Sequence, residues 1–297
     1  MIPIRGDAPF LFQAIDSLSE STLKPSEILI IDDGISENRL NKLKNMNFGL
    51  DIRVIKNKGA GLVSALNTGL EVANSDLIAR LDSDDFVYKN RLEFQYEYLN
   101  SSPEIIVVGS QVTYIDKNNT ILGKSSYPNG IVNNDARFHS SCLIAHPSVM
   151  YRKSQIIKIG GYREVAKIGS TSLCEDFDLW KRIAKHGIIL NMKEQLTFYR
   201  QHSGQLSSEF RYAQELATLY VESEAFDKNQ MRLEISELGV IDSEEQIIAS
   251  ISSLTKDKIY RFRIYSKIIG NNQRFRTINL LVGTLIIKLM NLLQKLH

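Results

Sequence analysis

Hydrophobic residues along the first two thirds of the chain alternate between short apolar runs and longer amphipathic stretches. The short runs predict buried β-strands, and the stretches between them predict helices. The predicted strands are Glu27–Ile31, Ile52–Ile55, Leu77–Leu81 and Ile105–Val108, and the predicted helices are Phe10–Ser19, Glu37–Lys44, Leu62–Ala73 and Lys89–Leu99. This order indicates a doubly wound α/β domain around a mostly parallel sheet.

Later elements are less regular. Ile121–Tyr127 and Ser148–Arg152 are predicted strands, and Phe177–Lys185 is a predicted helix that carries Phe177 and Trp180 on one face. We expect the α/β domain to occupy residues 1–208 and a helical extension to occupy residues 209–297.

Charge reverses within the predicted extension. Residues 208–253 are acidic, whereas Lys256–Lys295 contains nine Lys or Arg residues and one acidic residue. The apolar run Ile278–Leu293 has 16 residues, short of the roughly 20 that span a bilayer. Aromatic residues interleave with the basic ones upstream, which predicts peripheral contact with the inner face of the cytoplasmic membrane. The alternative is a helical hairpin packed on the α/β domain or on a second subunit.

Composition narrows the class of protein. The 297 residues include 36 Lys and Arg against 34 Asp and Glu, and 43% are hydrophobic, which excludes disordered and fibrous chains. A net charge of +2 gives no electrostatic reason to expect nucleic-acid binding. Cys142 and Cys174 match neither a disulfide framework nor a zinc spacing, so a reducing cytoplasm is expected. The N-terminal residues lack the pattern of a secretory signal.

Two acidic motifs follow predicted strands, where doubly wound sheets bind their ligands. ILIIDDG ends in Asp32 and Asp33, which either accept hydrogen bonds from a ligand or mark a solvated turn. In ARLDSDDF, Asp82 and Asp84 are two residues apart in an extended segment, so both carboxylates can face one hard cation. Capping of the following helix by Asp84 or Asp85 is the alternative.

Two further motifs carry candidate chemistry later in the chain. CEDFDLWKR places Glu175, Asp176 and Asp178 at a helix N-terminus, where the helix dipole alone explains one or two acidic residues. YRQHSGQLS places His202 in a loop after an apolar strand, and a lone histidine there is more often structural than functional.

The segment KGAGLVSALN raises a different enzyme class. It follows a strand and opens a helix, with Gly59 and Gly61 in a near match to the dinucleotide fingerprint, and Asp82 follows about 20 residues later. A nicotinamide oxidoreductase would, however, leave Asp84, Asp85 and the later EDFD motif unexplained. The sequence contains no P-loop motif, which excludes a P-loop ATPase.

Read together, IPIRGDAPFLFQAIDSL, ILIIDDG, NKGAGLVSALNTGL, ARLDSDD, GGYRE, CEDFDLWKRIAKHG and YRQHSGQLS resemble the family 2 glycosyltransferases. The resemblance covers about the first 210 residues. It implies a GT-A fold, which is a doubly wound mixed α/β sheet, and a nucleotide-diphospho-sugar as donor. The glycine-rich segment then becomes a loop that lets the next helix pack closely.

The resemblance also assigns roles by position. Asp84 is expected to hold a divalent metal, Mg²⁺ or Mn²⁺, and Asp176 to be the catalytic base. His202 is expected at the metal or diphosphate, Asp33 at the base or ribose, Arg80 at a phosphate, and His146 near the acceptor cleft. The full set of expected substrate-binding residues is Pro3, Asp32, Asp33, Arg80, Asp82, His146 and Glu175.

The chain departs from the family pattern at its beginning. Family members have several apolar residues before the proline that matches Pro3, so we expect a shortened first strand or a recorded start downstream of the true one. Arg5 and Gly6 stand where the family commonly has an aromatic residue and an asparagine.

The function that the resemblance implies is an inverting glycosyltransferase of cell-surface polysaccharide biosynthesis, acting on a saccharide or lipid-linked acceptor. The alternative is a non-catalytic sugar-nucleotide-binding or scaffold protein of the same fold. Asp84 and Asp176 together favour the enzyme, because a binding module has no use for a base.

Overall fold

A computed structural model describes residues 1–135, 138, 142–168 and 171–202, together with residues 214, 217, 218, 221, 233 and 234. Contacts between Cα atoms divide the chain into two units, Met1–Glu234 and Ile235–His297. The predicted boundary after residue 208 and the predicted membrane-associating segment lie outside the described residues, so both stay predictions. Within the described part of the chain, no helix is long and apolar enough to cross a membrane.

The described residues form thirteen strands and six α-helices, with short 3₁₀ turns at Val132–Asn134 and His146–Ser148. The strands are β1 Ile2–Arg5, β2 Ile28–Asp33, β3 Ile52–Lys56, β4 Leu77–Ala79, β5 Phe86–Val87, β6 Ile105–Ile115, β7 Ile121–Lys124, β8 Gly130–Ile131, β9 Met150–Arg152, β10 Ala166–Ile168, β11 Thr171–Leu173, β12 Ile188–Arg200 and β13 Leu233–Glu234. The helices are α1 Leu11–Ser19, α2 Glu37–Asn45, α3 Leu62–Val72, α4 Arg91–Ser101, α5 Lys153–Lys158 and α6 Glu175–Ile183.

Two sheets form the centre of the fold. In the first sheet, β1, β2 and β3 are parallel and lie in that order. The second sheet is mixed and has the order β4-β9-β6-β12-β5, in which β6 and β12 are parallel. Met1 connects the sheets: its amino group donates to the carbonyl of Ala79 at 2.8 Å, and the N–H of Leu81 donates to the carbonyl of Met1 at 3.1 Å. The carboxyl ends of β1, β2 and β4 therefore meet at one edge.

Alternation along β2 explains why helices cover both faces of the first sheet. Ile28 and Ile30 belong to the core cluster that contains the buried face of α1, whereas Leu29 and Ile31 pack with Ala65 of α3. Successive strand residues point to opposite faces, so a continuous apolar run indicates a strand buried on both sides. The predicted doubly wound mixed α/β architecture is thus confirmed.

Several boundaries differ from the prediction. The helix predicted at Phe177 begins two residues earlier, so that Glu175 and Asp176 lie in the first turn of α6. The predicted strand Ile121–Tyr127 ends at Lys124, and β4 ends at Ala79 rather than Leu81. Strand β12 has 13 residues and is the apolar strand that was predicted, without bounds, before His202.

Candidate active site

A cavity of about 990 Å³ opens at the carboxyl ends of the central strands. Its volume is in the range of small-molecule and cofactor sites. Residues from most of the motifs line it, including Pro3, Asp33, Gly61, Arg80, Asp82, Asp84, Cys142, His146, Glu175, Asp176 and His202.

One side of the cavity consists of Pro3, Asp33 and Gly61, with the buried Asn57 bonded to Asp33 from outside the lining. We call this side the nucleotide wall, after the contact with a base or ribose that the sequence predicts for Asp33. Asn57 Nδ2 donates to Asp33 Oδ1, and the main-chain N–H of Gly61 donates to Asp33 Oδ2, both at 2.9 Å. Gly61 caps α3 with φ +83°, a left-handed conformation that glycine adopts without strain. The glycine-rich segment thus holds Asp33 at the cavity.

Asp32 does not line the cavity, contrary to its expected place among the substrate-binding residues. Its Oδ1 accepts the main-chain N–H groups of Gly34 at 2.8 Å and Ile35 at 2.7 Å, and its Oδ2 lies 3.2 Å from Lys56 Nζ. Burial raises the pKa of Asp32, but these hydrogen bonds outweigh burial and leave the pKa below its ordinary value. The carboxylate of Asp32 stabilises the turn after β2.

A second group of residues, the acidic loop Asp82–Asp85, lines the same cavity through Asp82, Ser83 and Asp84, and Asp85 is buried. Ligand atoms of Asp82, Asp84 and Asp85 all lie within 4.8 Å of one another. Arg80 contacts Asp82 through two nitrogens, at 2.5 and 2.7 Å. Burial raises the pKa of Asp82 despite Arg80, and burial followed by the charges of Asp82 and Asp84 raises the pKa of Asp85 well above its ordinary value. Three crowded carboxylates of this kind are unfavourable without a cation.

The donor set of the acidic loop fits a hard divalent cation. The Oδ2 atom of Asp85 is buried and has no hydrogen-bond partner among the described residues. Carboxylate oxygens are the ligands that Mg²⁺ and Mn²⁺ prefer, and His202 Nε2 lies 3.1 Å from Asp84 Oδ2. The alternative prediction that Asp84 or Asp85 caps the next helix is wrong, because α4 begins at Arg91 with Asn90 as N-cap.

Glu175 and Asp176 open α6 on another side of the cavity. Cys174 precedes them with φ +59°, and this left-handed residue turns the chain into the helix. Asp176 Oδ1 accepts the main-chain N–H of Phe177 at 2.7 Å, and the Cys142 thiol lies 3.6 Å from Asp176 Oδ2. Burial raises the pKa of Asp176 above its ordinary value. Burial, reinforced by the charge of Asp176, raises the pKa of Glu175 to about 8.

His146 lies behind Glu175. Its Nδ1 is 3.9 Å from Glu175 Oε1, and its Nε2 is 3.0 Å from the Tyr162 hydroxyl. Burial, with the charge of Arg80 adding to it, lowers the pKa of His146 well below its ordinary value. The imidazole is therefore neutral at neutral pH, and Tyr162 fixes its orientation.

Asp178, the last acidic residue of the EDFD motif, has a structural role. It is buried, its Oδ2 lies 2.7 Å from Arg182 Nη2, and it also pairs with Arg163. Arg182 donates in turn to the carbonyls of Ile159 and Gly161 at 3.0 and 2.8 Å. Asp178 thus ties α6 to the loop that carries Tyr162.

The structure brings nine of the ten predicted site residues to one cavity, with Asp32 as the exception; their individual roles stay predictions. Sequence reasoning gave no site role to Cys142, Tyr162 or Arg200, although Tyr162 lies in GGYRE and Arg200 in YRQHSGQLS. The available signal for Tyr162 and Arg200 was their place within a motif, whereas Cys142 lies in none of the motifs. Their contacts cross 16 to 116 positions of sequence and could not be read from it.

Sequence relatives of the chain are glycosyltransferases. A relative from Haemophilus influenzae named as an uncharacterized glycosyltransferase is 28% identical over 69% of this chain and 75% of its own length. UDP-Gal:alpha-D-GlcNAc-diphosphoundecaprenol beta-1,3-galactosyltransferase of Escherichia coli is 31% identical over 63% of this chain and 66% of its own length. The O-antigen biosynthesis glycosyltransferase WbnJ of Escherichia coli is 33% identical over 64% and 74%. The chain thus spans between about two thirds and three quarters of these relatives.

Solved structures share the fold at low identity. TarS 1–349 of S. aureus in complex with UDP-GlcNAc aligns with a TM-score of 0.59 at 14% identity, over 91% of this chain and 79% of that chain. The mannosyltransferase PcManGT of Pyrobaculum calidifontis, in complex with GDP-Man and Mn²⁺, aligns with a TM-score of 0.54 at 13% identity, over 96% and 83%. The GT-A architecture expected from the sequence is confirmed.

The family model for glycosyl transferase family 2 matches residues 1–160, more than half of the 297 residues. The matched range includes the nucleotide wall and the acidic loop, and residues of the later CEDFDLWKR and YRQHSGQLS motifs line the same cavity. The chain therefore belongs to glycosyl transferase family 2.

Proposed function

We propose that this glycosyltransferase moves a sugar from a nucleotide-diphospho-sugar to a hydroxyl group of a saccharide or lipid-linked acceptor, with inversion at the anomeric carbon. The observation that carries the proposal is that a carboxylate suited to act as a base, Asp176, lines the same cavity as the acidic loop and the nucleotide wall. A non-catalytic sugar-nucleotide-binding protein needs the acidic loop and the nucleotide wall, but it does not need a base.

Asp176 has the properties of a general base. Its Oδ1 is held by the N–H of Phe177, which leaves Oδ2 beside the Cys142 thiol at the cavity. Burial raises the pKa of Asp176, so its carboxylate accepts a proton more readily than an exposed aspartate does. Oδ2 would take the proton of the acceptor hydroxyl while that oxygen attacks the anomeric carbon. Attack on the face opposite the leaving diphosphate inverts the configuration.

The acidic loop is proposed to hold the divalent metal through Asp84, with Asp82 and His202 beside it. A bound Mg²⁺ or Mn²⁺ supplies positive charge to the departing diphosphate. Arg80 is buried and holds Asp82 through two hydrogen bonds, so it orients this carboxylate and adds a second positive charge at the diphosphate end. On the nucleotide wall, the proposed contacts to the base and ribose come from Pro3 and Asp33.

On the acceptor side, the neutral His146 and Glu175 are proposed to border the acceptor cleft. With its pKa raised to about 8, Glu175 is protonated at neutral pH. It therefore does not compete with Asp176 for the acceptor proton, and it can donate a hydrogen bond to an acceptor oxygen.

Relatives support a place in cell-surface polysaccharide synthesis. The names of three of them refer to a diphosphoundecaprenol-linked acceptor, to amylovoran biosynthesis and to O-antigen biosynthesis. We propose the same class of acceptor here, with the enzyme in the cytoplasm and its basic, apolar C-terminus on the inner face of the membrane. Truncation after Ser253 should then release the protein from the membrane fraction; a full-length protein that is soluble contradicts the anchor.

The activity is tested by incubating the full-length chain with UDP- and GDP-sugars and Mn²⁺ and measuring release of the nucleoside diphosphate. We expect release with one donor, its loss in EDTA, and a product of inverted anomeric configuration by NMR. A product with retained configuration contradicts the role of Asp176. As acceptors we would use a panel of octyl glycosides and lipid-diphosphate saccharides. If the protein binds the nucleotide-sugar but turns over none of these acceptors, the non-catalytic alternative is favoured.

A further inference from the structure

Arg200 is a fully buried side chain at the end of β12. Its Nε donates to the main-chain carbonyl of Asp84, its Nη1 to the carbonyl of Asp116 and its Nη2 to Oε1 of Gln13, each at 2.8 Å. A buried guanidinium is tolerated only when its donors are satisfied. These three bonds therefore join the end of β12 to the acidic loop, the end of β6 and helix α1.

The same stretch of chain also fixes the side chains of the acidic loop. The main-chain N–H of Arg200 donates to Asp85 Oδ1 at 2.8 Å, and His202 Nε2 lies 3.1 Å from Asp84 Oδ2. Arg200 and His202 thus hold the main chain of Asp84 and one carboxylate oxygen each of Asp84 and Asp85. Among the residues that the structure describes, none forms a hydrogen bond with Asp85 Oδ2.

A ring contact extends this connection to Phe10, another residue that lines the cavity. The guanidinium carbon of Arg200 lies 3.8 Å from the centroid of the Phe10 ring, within the range of a cation–π contact. Phe10 precedes α1 and lines the cavity, and Gln13 is in the first turn of α1. Arg200 therefore sets the position of the acidic loop relative to α1.

We propose that Arg200 is a positioning residue: it holds the acidic loop in the geometry that binds the divalent cation and the diphosphate, without itself contacting either. The inference rests on the proposed function, because it takes the acidic loop as the metal site. It adds that the affinity for the metal is set by a residue 116 positions away in sequence.

Arg152, which is partly buried, provides a control for the loss of an arginine that braces main-chain carbonyls. It donates to the carbonyl of Ile105 at 3.0 Å, to that of Ser102 at 3.2 Å and to that of Leu99, and it does not line the cavity. Arg200→Met and Arg152→Met both remove such a brace. Only the first should affect metal binding.

The test uses the full-length chain and Mn²⁺ alone as the probe, with free Mn²⁺ measured by EPR. For Arg200→Met we expect the Kd for Mn²⁺ to rise by about tenfold or more, as for other residues that orient metal ligands, and for Arg200→Lys by less. The Kd for UDP in EDTA should change by less than about twofold, since the nucleotide wall is made by other residues. Arg152→Met should lower the melting temperature and leave the Kd for Mn²⁺ unchanged.

A folded Arg200→Met variant that binds Mn²⁺ within about twofold of the wild type overturns the proposal. If Arg200→Met does not fold, Gln13→Ala serves as the second variant, because it removes one of the three hydrogen bonds described above. We expect it to weaken Mn²⁺ binding by about two- to fivefold. Unchanged Mn²⁺ binding in both Gln13→Ala and Arg200→Lys also overturns the proposal. Failure of the proposed function looks different, because the wild type itself would then bind no Mn²⁺, with or without UDP.

Discussion

The nucleotide wall and the acidic loop both present carboxylates to one cavity, but the protein stabilises them in opposite ways. Asp33 accepts hydrogen bonds from Asn57 and Gly61, and the adjacent Asp32 is held by main-chain N–H groups that lower its pKa against burial. In the acidic loop, burial and mutual repulsion raise the pKa of Asp82 and Asp85.

The difference shows which part of the site is complete without a ligand. Asp33 of the nucleotide wall and the adjacent Asp32 both have hydrogen-bond donors, so this part of the site needs no added charge. The carboxylates of the acidic loop are crowded around Asp85 Oδ2, which has no hydrogen-bond partner among the described residues, so this loop is stabilised by an added positive charge. The effects of substitutions in the two regions should therefore differ in sign as well as in size.

The largest expected effect is a loss of turnover on substitution of Asp176, which belongs to neither region. Asp176→Asn keeps the shape of the side chain and the acceptor for the N–H of Phe177, and it removes the proton acceptor. We expect turnover to fall by about 10² to 10⁴ or more, with the Kd for UDP unchanged by calorimetry. Near-wild-type turnover would remove Asp176 from the mechanism.

The next effect separates the two regions through the metal. Asp84→Ala removes the proposed ligand, so binding of UDP should lose its dependence on Mn²⁺, with at least a tenfold rise in Kd in the presence of the metal. Asp33→Asn should instead weaken UDP binding equally with Mn²⁺ and in EDTA. Full activity of the wild type in EDTA would show that side chains alone neutralise the diphosphate.

The two regions also differ in how far the sequence could predict them. The strand ends and the Asp33 and Asp84 positions follow from apolar runs and motif spacing, which are local signals. Alternation along β2 places Asp32 and Asp33 on different sides, and the sequence does not say which side faces the cavity. The contacts of Arg200 and His202 with the acidic loop depend on the pairing of β12 with β5 and β6, which no local pattern encodes.

The third effect is on stability and should have opposite signs at Asp32, which lies beside the nucleotide wall, and at Asp85 in the acidic loop. Asp32→Ala leaves the main-chain N–H groups of Gly34 and Ile35 without their acceptor, which costs about 1 to 3 kcal/mol and lowers the melting temperature. Asp85→Asn keeps an oxygen for the N–H of Arg200 and removes a crowded charge, so in EDTA the variant should melt at or above the wild-type temperature. Equal destabilisation by both would contradict the contrast between the regions.

The last effect is a pH dependence at Glu175, which tests whether burial also dominates beside Asp176, the proposed base. Its pKa is raised from 4.5 to about 8 in the folded protein, so the folded state keeps a proton that the unfolded state releases. The stability that this proton gives is fully present below about pH 4.5 and is lost as the pH rises through about 8.

Glu175→Gln has no such proton to lose. The melting temperature of the wild type should therefore fall more steeply than that of Glu175→Gln between about pH 5 and pH 9. Circular dichroism follows the melting. Asp178→Asn is the control for the loss of an ion-paired acid on the same helix. Parallel curves for the wild type and Glu175→Gln would mean that Glu175 is ionised in the folded protein. The carboxylate of Glu175 would then resemble that of Asp32 rather than those of the acidic loop.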